Sequence, residues 1–293
     1  MPNLKEVRIR IASVQSTQQI TSAMKMVAAS KLRKGQNAIL QLRPFAKKLQ
    51  EILQNLTASL EGSGESIYAE SREVRKVLIV VMASNRGLCG AFNSNVIKAT
   101  LRHIQGNYSS QLETGRVSLI TIGRKASEYF RKNHYQVIES YDGIFDSMTF
   151  DAVSPIAERL MERFAGGEYD RVDIVYNQFR NAAVQRLIVE QFLPVLPLIG
   201  DHTQKFQTDY LFEPDKDRIV TELIPRSLKL QFFKDLLDSY ASEMGARMTA
   251  MHQATDNASE LLRDLKLSYN KARQAAITKE LLEIVTGAEA LNG

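Results

Sequence analysis

Two long amphipathic segments, one at each end of the 293-residue chain, most constrain how this sequence can fold. In residues 1–60, alternating steps of three and four residues define a helix seam: Leu4, Val7, Ile11, Val14, Gln18, Thr21, Lys25, Ala28, Leu32, Gly35, Ile39, Leu42, Ala46, Leu49, Leu53, Leu56 and Leu60. This spacing is typical of a coiled coil. Polar residues interrupt the seam in its middle, and Gly35 and Pro44 are residues at which helices bend. The weak seam favours a partner other than a simple zipper helix.

The C-terminal segment, from Ser227 to about Val285, repeats this pattern without a proline. Its predicted seam is Leu230, Phe233, Leu237, Tyr240, Met244, Met248, Met251, Ala258, Leu261, Leu265, Ala272 and Ala276. At about 1.5 Å per residue, such a helix would extend about 90 Å, more than a compact domain of this size requires. We therefore predict that the two terminal helices pair antiparallel, so that each covers the apolar stripe of the other.

Between the two helices, apolar runs alternate with amphipathic segments. Strands are predicted at 74–83, 116–123, 135–139, 171–179 and 187–193, and helices at 93–104, 124–132 and 153–164. Such alternation is typical of a doubly wound, mostly parallel α/β sheet. The predicted segments are an N-terminal helix at 1–60, a linker at 61–73, an α/β globular domain at 74–205, a return segment at 206–226 and a C-terminal helix at 227–293.

Charge and hydropathy narrow the class of protein. Ten Lys and Arg residues against two Glu give residues 1–60 a charge of +8, while the whole chain carries +5. Such a basic arm suits nucleic acid, anionic lipid or an acidic protein. Its basic face around Lys25, Lys31, Arg33 and Lys34 lacks the interleaved aromatic residues that stack on bases, which makes nucleic acid the weaker interpretation. We expect no membrane-spanning helix and no secretory signal. The single cysteine, Cys89, excludes an internal disulfide framework and fits a reducing compartment, where its commonest use is as a small buried hydrophobe.

The loop Ser84 to Gly90 follows an apolar strand and precedes a helix, which is the setting of phosphate-binding loops. It has neither the G-x-G-x-x-G spacing nor a Gly-Lys pair followed by Ser or Thr, so a turn that closes a βα unit is favoured. Asn93 with Ser94 is typical of an N-cap. The four histidines lack metal-ligand spacing and no G-x-S-x-G elbow occurs, so we predict no catalytic, metal or cofactor residue and a scaffold role for the α/β domain.

Small and adaptable residues are concentrated in both terminal helices. The segments ITSAMKMVAASKL, Ile20 to Leu32, and SEMGARMTAMHQATDNASELL, Ser242 to Leu262, are rich in Ala, Ser, Thr and Met. Two thin helices cannot bury both of their sides against each other. Their outer faces therefore indicate a surface that slides past several partners.

Three separated segments carry a resemblance to a known family. ITSAMKMVAASKLRK near the start, SNRGLCGAFN in the middle and YASEMGARMTAMHQATDNASELLRDLKLSYNKARQAAITKELLEIVTGAEAL at the end are similar to the gamma subunits of rotary F-type ATP synthases, over essentially the whole chain. The resemblance implies a non-catalytic central shaft inside a ring of three alpha and three beta subunits. The shaft would rest on the epsilon subunit and the membrane c-ring, whose ion-driven rotation changes nucleotide affinity at the beta subunits.

The resemblance also implies which residues contact partners. Met24 and Lys25 match a coupling segment that faces an acidic loop of beta, with Arg247 nearby on the other helix. Lys31 and Arg33 would face beta carboxylates as well, in keeping with electrostatic complementarity. Arg86 to Cys89 would lie beside the shaft near the same acidic loop, with Arg86 as the charged contact. The matched coupling positions at the C-terminal end are Arg273, Gln274, Thr278, Glu280, Glu283 and Val285.

Departures from related forms locate the chain within the family. It has no cysteine pair in an inserted loop and no transit peptide, which favours a bacterial member, peripheral on the cytoplasmic face of the plasma membrane. We expect no cofactor, no small-molecule substrate and no nucleic-acid partner. Two alternatives are a nucleotide-dependent enzyme with helical oligomerisation arms, which would bind ATP or NAD, and a nucleic-acid-binding coiled coil, which would bind DNA or RNA with strong salt dependence.

Overall fold

A computed structural model of the chain describes residues 4–59, 67–70, 72–195 and 216–292. The helices are α1 Leu4–Ser59, α2 Phe92–Asn107, α3 Ser109–Glu113, α4 Arg124–Lys132, α5 Phe150–Ala165 and α6 Lys216–Asn292. The strands are β1 Val77–Met82, β2 Val117–Ile122, β3 Val137–Ser140, β4 Arg171–Phe179 and β5 Gln185–Leu193. The chain divides into a first unit, Met1–Ala28 with Arg247–Gly293, and a second unit, Ala29–Ala246. These units cut across the predicted segments, whose boundaries stay a prediction.

The five strands of the second unit form one sheet in the order β3-β2-β1-β4-β5. Strand β1 is parallel to both of its neighbours, and Val77 lies opposite Val117 on β2 and Arg171 on β4. Strand β5 is the antiparallel edge strand beside β4. The predicted fold class is therefore confirmed, with long helices at both ends and a central, mostly parallel α/β sheet.

Alternate residues of β1 pack into two separate apolar layers, as expected for a strand that is buried on both faces. Leu78, Val80 and Met82 contact a layer that contains residues of α5 and α6. Val77, Ile79 and Val81 contact a layer that contains residues of α2 and α4. Helix α6 is thus part of the core of the second unit, where Leu228, Phe232 and Leu236 pack against the sheet.

Helix α6 begins at Lys216, whereas the predicted C-terminal helix begins at residue 227. The prediction placed Pro225 in a return segment because proline lacks the N–H that an interior helical position donates. In the structure, Ile224 and Leu228 pack against the apolar layer on either side of Pro225. This packing outweighs the local cost of the proline. The rest of the predicted return segment, at 206–215, and residues 61–66 of the predicted linker lie outside the described residues.

The first unit is an antiparallel pair of helices, as predicted. Gln18 Nε2 donates to Ser259 Oγ at 2.7 Å, and Thr255 Oγ1 donates to Thr21 Oγ1 at 2.9 Å. The partner numbers fall on α6 as they rise on α1, which shows that the helices run in opposite directions. Gln18 and Thr21, two of the polar residues that interrupt the seam of α1, are therefore hydrogen-bonded across the pair, and such polar pairs fix the register of a coiled coil.

The predicted seam of α1 is confirmed wherever the structure describes burial, since each such member is buried or half-buried. The predicted seam of α6 is wrong at Leu261, which is 41% exposed, while Leu262 is buried. The reason is a step of four residues from Ala258 to Leu262. The predicted member Ala276 is exposed as well.

The Thr21–Thr255 hydrogen bond predicts energetic coupling between the two helices. We expect Thr21→Val and Thr255→Val to be non-additive by about 0.5–1 kcal/mol in a double-mutant cycle, because the second valine removes a hydroxyl that the first left without its cross-helix partner. Chemical unfolding of the four proteins measures this coupling. Thr17→Val is the matched control, because Thr17 Oγ1 donates only within α1, to Ser13 O. The prediction would be contradicted if the effects of Thr21→Val and Thr255→Val added as fully as those of Thr17→Val and Thr255→Val.

Candidate functional site

The loop Ser84 to Gly90 lies at the carboxyl end of β1, between β1 and α2. Strand order reverses here, because β2 and β3 lie on one side of β1 while β4 and β5 lie on the other. In doubly wound sheets, ligands bind in the crevice outside the carboxyl ends of the strands at such a switch point. This loop is therefore the first place to look for a small-molecule site.

The loop is closed by hydrogen bonds to Asn93, in the first turn of α2, and to the start of α4. Asn93 Oδ1 accepts from the Ser84 backbone N–H at 3.0 Å, and Asn93 Nδ2 donates to Ser84 Oγ at 2.8 Å and to Cys89 Sγ at 3.3 Å. Asn85 Oδ1 accepts from the Arg124 N–H at 3.0 Å. Helix α2 begins at Phe92 without a side-chain cap, so the prediction of Asn93 and Ser94 as an N-cap is wrong. Asn93 stabilises the loop instead.

The other wall of the crevice is covered by α6. Ser242 Oγ donates to the Asn177 carbonyl near the end of β4 at 3.0 Å. A Cβ atom added to Gly245 would lie 3.2 Å from the Cα and the carbonyl oxygen of Ala182, in the turn after β4. Helix α6 therefore lies directly against the carboxyl end of β4. This arrangement favours a structural role for the switch point over nucleotide binding.

A polar cluster in the second unit resembles a catalytic dyad. Asp173 Oδ2 lies 2.7 Å from His103 Nε2 and accepts from the Tyr108 hydroxyl at 2.5 Å, while Asp173 Oδ1 accepts from Arg171 Nε at 3.0 Å. Burial, the largest influence, would raise the pKa of Asp173, but these hydrogen bonds and the Arg171 charge together lower it. Burial, with the Asp173 bond next, raises the pKa of Tyr108. The carboxylate is fully engaged, so the cluster anchors α2 to β4.

Two further features bear on metal binding and on small-molecule binding. The described residues contain no group of three or more His, Cys, Asp or Glu side chains that could hold a metal ion. An open depression of about 350 Å³ lies between the end of β3 and α5. Its one cationic lining residue, Arg159, donates to the Tyr141 hydroxyl at 3.3 Å and lies 3.6 Å from the Glu139 carboxylate. Its charge is therefore used within the protein.

The predicted contact residues of the first unit fall into two groups. Met24, Lys25 and Arg247 are half-buried in the part of the chain where α1 and α6 pair. Counting back from Thr21 to Leu4, and forward equally from Thr255, brings Leu4 opposite Ala272. The second group lies beyond this point on α6 and is exposed: Arg273, Gln274, Thr278, Glu280, Glu283 and Val285.

The exposed end of α6 also carries apolar side chains that the sequence analysis did not single out. Ile277, Leu281, Leu282, Ile284 and Val285 are 50–63% exposed. We call these five residues the apolar end of α6. The signal was available, because apolar residues continue past Ala276 where the predicted seam stops. Clustered exposed apolar residues are typical of protein-protein contact sites.

In the second unit, the structure separates the two predicted contact residues of the loop. Arg86 is exposed, whereas Cys89 is 1% exposed, with its sulfur toward Asn93 and Ser84. The prediction of Cys89 as a small buried hydrophobe is confirmed. A thiol buried in this way offers no surface to a partner, so the case for the loop as a contact rests on Arg86. Sequence reasoning missed Leu88, which is 64% exposed and has a φ of 63°.

Paired terminal helices, a doubly wound domain with a closed switch point and an exposed apolar helix end are typical of a protein that works through protein contacts. Comparison with known proteins identifies the class. Residues 3–291 match the family model described as ATP synthase. The ATP synthase gamma chain of Flavobacterium johnsoniae is 56% identical, and that of Cytophaga hutchinsonii 53%, each with 100% of both chains covered.

Solved structures agree with this match. The central stalk and c-ring structure of the Tetrahymena thermophila mitochondrial ATP synthase contains a chain with 25% identity and a TM-score of 0.61, which covers 80% of this chain and 99% of that chain. A chain of the Euglena gracilis mitochondrial ATP synthase shares the fold with a TM-score of 0.69 at 24% identity, covering 98% of this chain and 94% of that chain.

The chain belongs to the ATP synthase family. Within it, full-length identity of 53–56% to bacterial gamma chains confirms the resemblance to the gamma subunits of rotary F-type ATP synthases. The fold and the relatives agree with the predicted role as the central shaft of such an enzyme complex.

Proposed function

We propose that this chain is the non-catalytic central rotor shaft of an F-type ATP synthase. In this role it couples ion-driven rotation of the membrane c-ring to conformational change and to ATP synthesis or hydrolysis at the beta subunits. The observation that carries the proposal is the apolar end of α6, exposed beyond the helix pair in a chain that matches gamma chains over its full length. The switch point closed by Asn93 and α6 supports a role without catalytic residues.

The partners are three alpha and three beta subunits around the shaft, the epsilon subunit and the c-ring. The similar structures are those of a central stalk with a c-ring and of an F1 sector with a c-ring. No helix in the described parts of the chain is both long and apolar enough to cross a membrane. We place the chain peripherally, at the cytoplasmic face of a bacterial plasma membrane.

The apolar end of α6 seats in an apolar sleeve formed by the alpha and beta subunits. Five side chains that are at least half exposed would otherwise remain in water. Each fully buried side chain of this kind contributes about 1.5–3 kcal/mol. The polar residues on the same stretch, Arg273, Gln274 and Glu280 among them, hydrogen-bond the rim and fix the orientation of the helix.

Charged contacts lie on the two paired helices and on the loop after β1. Lys25 is half-buried where α1 and α6 pair, so it holds its positive charge beside the helix pair, where an acidic loop of beta meets it. Met24 and Arg247 complete this contact. On the loop, Arg86 meets a carboxylate of beta and Leu88 supplies an apolar contact beside it. Such complementary charges set register and specificity more than affinity.

Reconstitution tests the proposal. We expect this chain, mixed with the alpha and beta subunits of a close relative such as Flavobacterium johnsoniae, to yield an assembled complex with ATPase activity. The purified chain alone is expected to bind neither ATP nor NAD in equilibrium dialysis. Tight nucleotide binding by the isolated chain would instead support the enzyme with helical oligomerisation arms.

Removal of residues 273–293 separates folding from assembly. Every described side chain from Arg273 to Ala288 is exposed, so the truncation removes no core packing. We expect the melting temperature of the isolated chain to change by less than about 2 °C, while the yield of complex with alpha and beta falls without disappearing. Thermal unfolding and size-exclusion chromatography measure these two quantities. A truncated chain that melts much earlier, or one that assembles as well as the full chain, would contradict the assignment of this end to partner contact.

A further inference from the structure

Helix α6 presents polar side chains to the core of the second unit. Asp235, Asp238, Ser239 and Ser242 follow one another at helical spacing and are each at most 2% exposed. The buried face of an amphipathic helix normally carries apolar residues at such positions. Buried polar groups are retained at a cost unless they are hydrogen-bonded. Ser242 donates to the Asn177 carbonyl, but Asp235 is in a different situation.

Asp235 has none of its surface exposed. Neither of its carboxyl oxygens accepts a hydrogen bond in the described part of the chain. The Lys234 ammonium lies 3.6 Å from Oδ1, beyond hydrogen-bonding range, and its side chain is one-third exposed. Water screens an ammonium in that position, so it neutralises a buried carboxylate only partly.

The groups that face Asp235 come from both neighbouring strands and from α6 itself. Strand β4 contributes the phenol of Tyr176, and β5 contributes the carboxyl group of Glu190. Helix α6 contributes Lys234, and the charge of its Asp238 acts on the phenol of Tyr176. Asp235 is fully buried and Glu190 half-buried, and two carboxylates held close together with one of them shielded from water repel each other, so such pairs hold a proton.

Hydrogen bonds indicate which carboxyl group holds the proton. Glu190 Oε1 accepts from Gln231 Nε2 at 3.1 Å, and Glu190 Oε2 accepts from the Tyr176 hydroxyl at 3.4 Å. Glu190 is therefore the hydrogen-bonded member of the pair. Neither oxygen of Asp235 has a hydrogen-bond partner within range among the described residues, and the nearby Tyr176 hydroxyl opposes the rise of the Asp235 pKa less than Lys234 does. Burial, with the Glu190 charge next, raises the pKa of Asp235 well above its usual range, and Lys234 opposes this rise less strongly.

We propose that Asp235 is protonated in the folded protein at neutral pH, beside the hydrogen-bonded Glu190, so that the docking of α6 on β4 and β5 is coupled to proton concentration. The proposal rests on the second unit alone and does not depend on the shaft function. It defines a pH-sensitive contact between the C-terminal helix and the α/β sheet.

The direction of the pH dependence follows from linkage. In the unfolded chain Asp235 ionises near the ordinary value of 3.8, whereas in the folded protein its pKa lies well above 3.8. Between the two values the folded protein binds more protons, so its stability falls as pH rises through the folded pKa. Below the unfolded pKa this contribution is complete and constant. One proton corresponds to about a tenfold change in the opening equilibrium per pH unit.

Hydrogen exchange on the full-length chain tests the proposal. The readout is the protection factor of amides between Leu228 and Gly245, corrected for the intrinsic pH dependence of exchange. Between the unfolded and the folded pKa of Asp235, we expect protection in the wild type to fall by up to about tenfold per pH unit. Asp235→Asn keeps the shape without the charge, so its protection should vary less with pH and exceed that of the wild type at alkaline pH. Asp264→Asn, at an exposed site on α6, should behave as the wild type.

Two further measurements remain informative if Asp235→Asn fails to fold. Glu190→Gln removes a neighbouring charge that raises the pKa of Asp235. The folded pKa of Asp235 should therefore be lower, and the pH-dependent loss of protection should end at a lower pH than in the wild type. Infrared spectra at neutral pH should show a protonated-acid carbonyl band in the wild type that Asp264→Asn retains. Equal pH slopes in the wild type and Asp235→Asn, an unchanged window in Glu190→Gln, or the absence of the protonated-acid band would each overturn the proposal. Failure here would leave assembly with alpha and beta unaffected.

Discussion

Replacing Gly123 with alanine is expected to destabilise the second unit by at least about 3 kcal/mol. Gly123 follows β2 with a φ of 99°, a backbone conformation that residues with a Cβ atom rarely adopt. A Cβ at this position would lie 2.2 Å from the carbonyl oxygen of Ala83. That carbonyl cannot move easily, because the Ala83 N–H donates to Ile122 O at 2.8 Å and the Lys125 N–H donates to Ser84 O at 3.0 Å.

A second glycine provides the matched control. Gly106 lies inside α2, and a Cβ added there would meet nothing within 4 Å. Gly106→Ala should therefore raise stability by about 0.5–1 kcal/mol, since alanine favours the helix and restricts the unfolded chain. Urea unfolding monitored by circular dichroism compares the two variants. Similar stability in both would show that the backbone at Gly123 has more room than the structure gives it.

Reversing the charge at Lys25 is expected to lower the rate of coupled ATP hydrolysis by at least about tenfold, the equivalent of about 1.4 kcal/mol. Under the proposed function, Lys25→Glu places a carboxylate against an acidic loop of beta, where like charges repel. Folding should be little affected, because Lys25 lies on the seam beside adaptable residues such as Met24 rather than in an apolar core. Steady-state ATPase activity of the reconstituted complex is the readout.

The control for this prediction changes the same charge elsewhere. Lys98→Glu alters an exposed lysine on α2, which the proposal assigns to no contact, and should leave activity unchanged. Lysine substitution of the acidic residues in the beta loop should restore activity to Lys25→Glu. Full activity of Lys25→Glu in the assembled complex would remove Lys25 from the coupling surface.

Much of the fold could be predicted because local and tertiary preferences agree. The bounds of α4 and β4 match the prediction, since each has a clear period and a turn at both ends. The start of α6 was misplaced because packing of Ile224 and Leu228 overrides the helix-breaking tendency of Pro225. Helix α3, with five residues, was not predicted, because so short a segment carries no periodic signal.

The candidate contact surfaces were less predictable, because exposure depends on where elements meet. The exposure of Val285 follows from the register set by Thr21 and Thr255, which ends the helix pair near Ala272. The register cannot be read from the seam of one helix alone. The burial of Asp235 was missed for a related reason, since a polar residue on a helix is normally assigned to the solvent face. Its position follows from the apolar neighbours Phe232 and Leu236, which hold α6 on the sheet.

Rotation of this chain inside the assembled complex tests the central claim most directly. The alpha and beta subunits are fixed to a surface, and a bead is attached through a cysteine introduced on the exposed face of α2. The bead reports the movement of this chain in single complexes. We predict that ATP drives rotation in one direction with three principal pauses per turn, one for each beta subunit. A complex that hydrolyses ATP at a normal rate while the bead stays still would contradict the account.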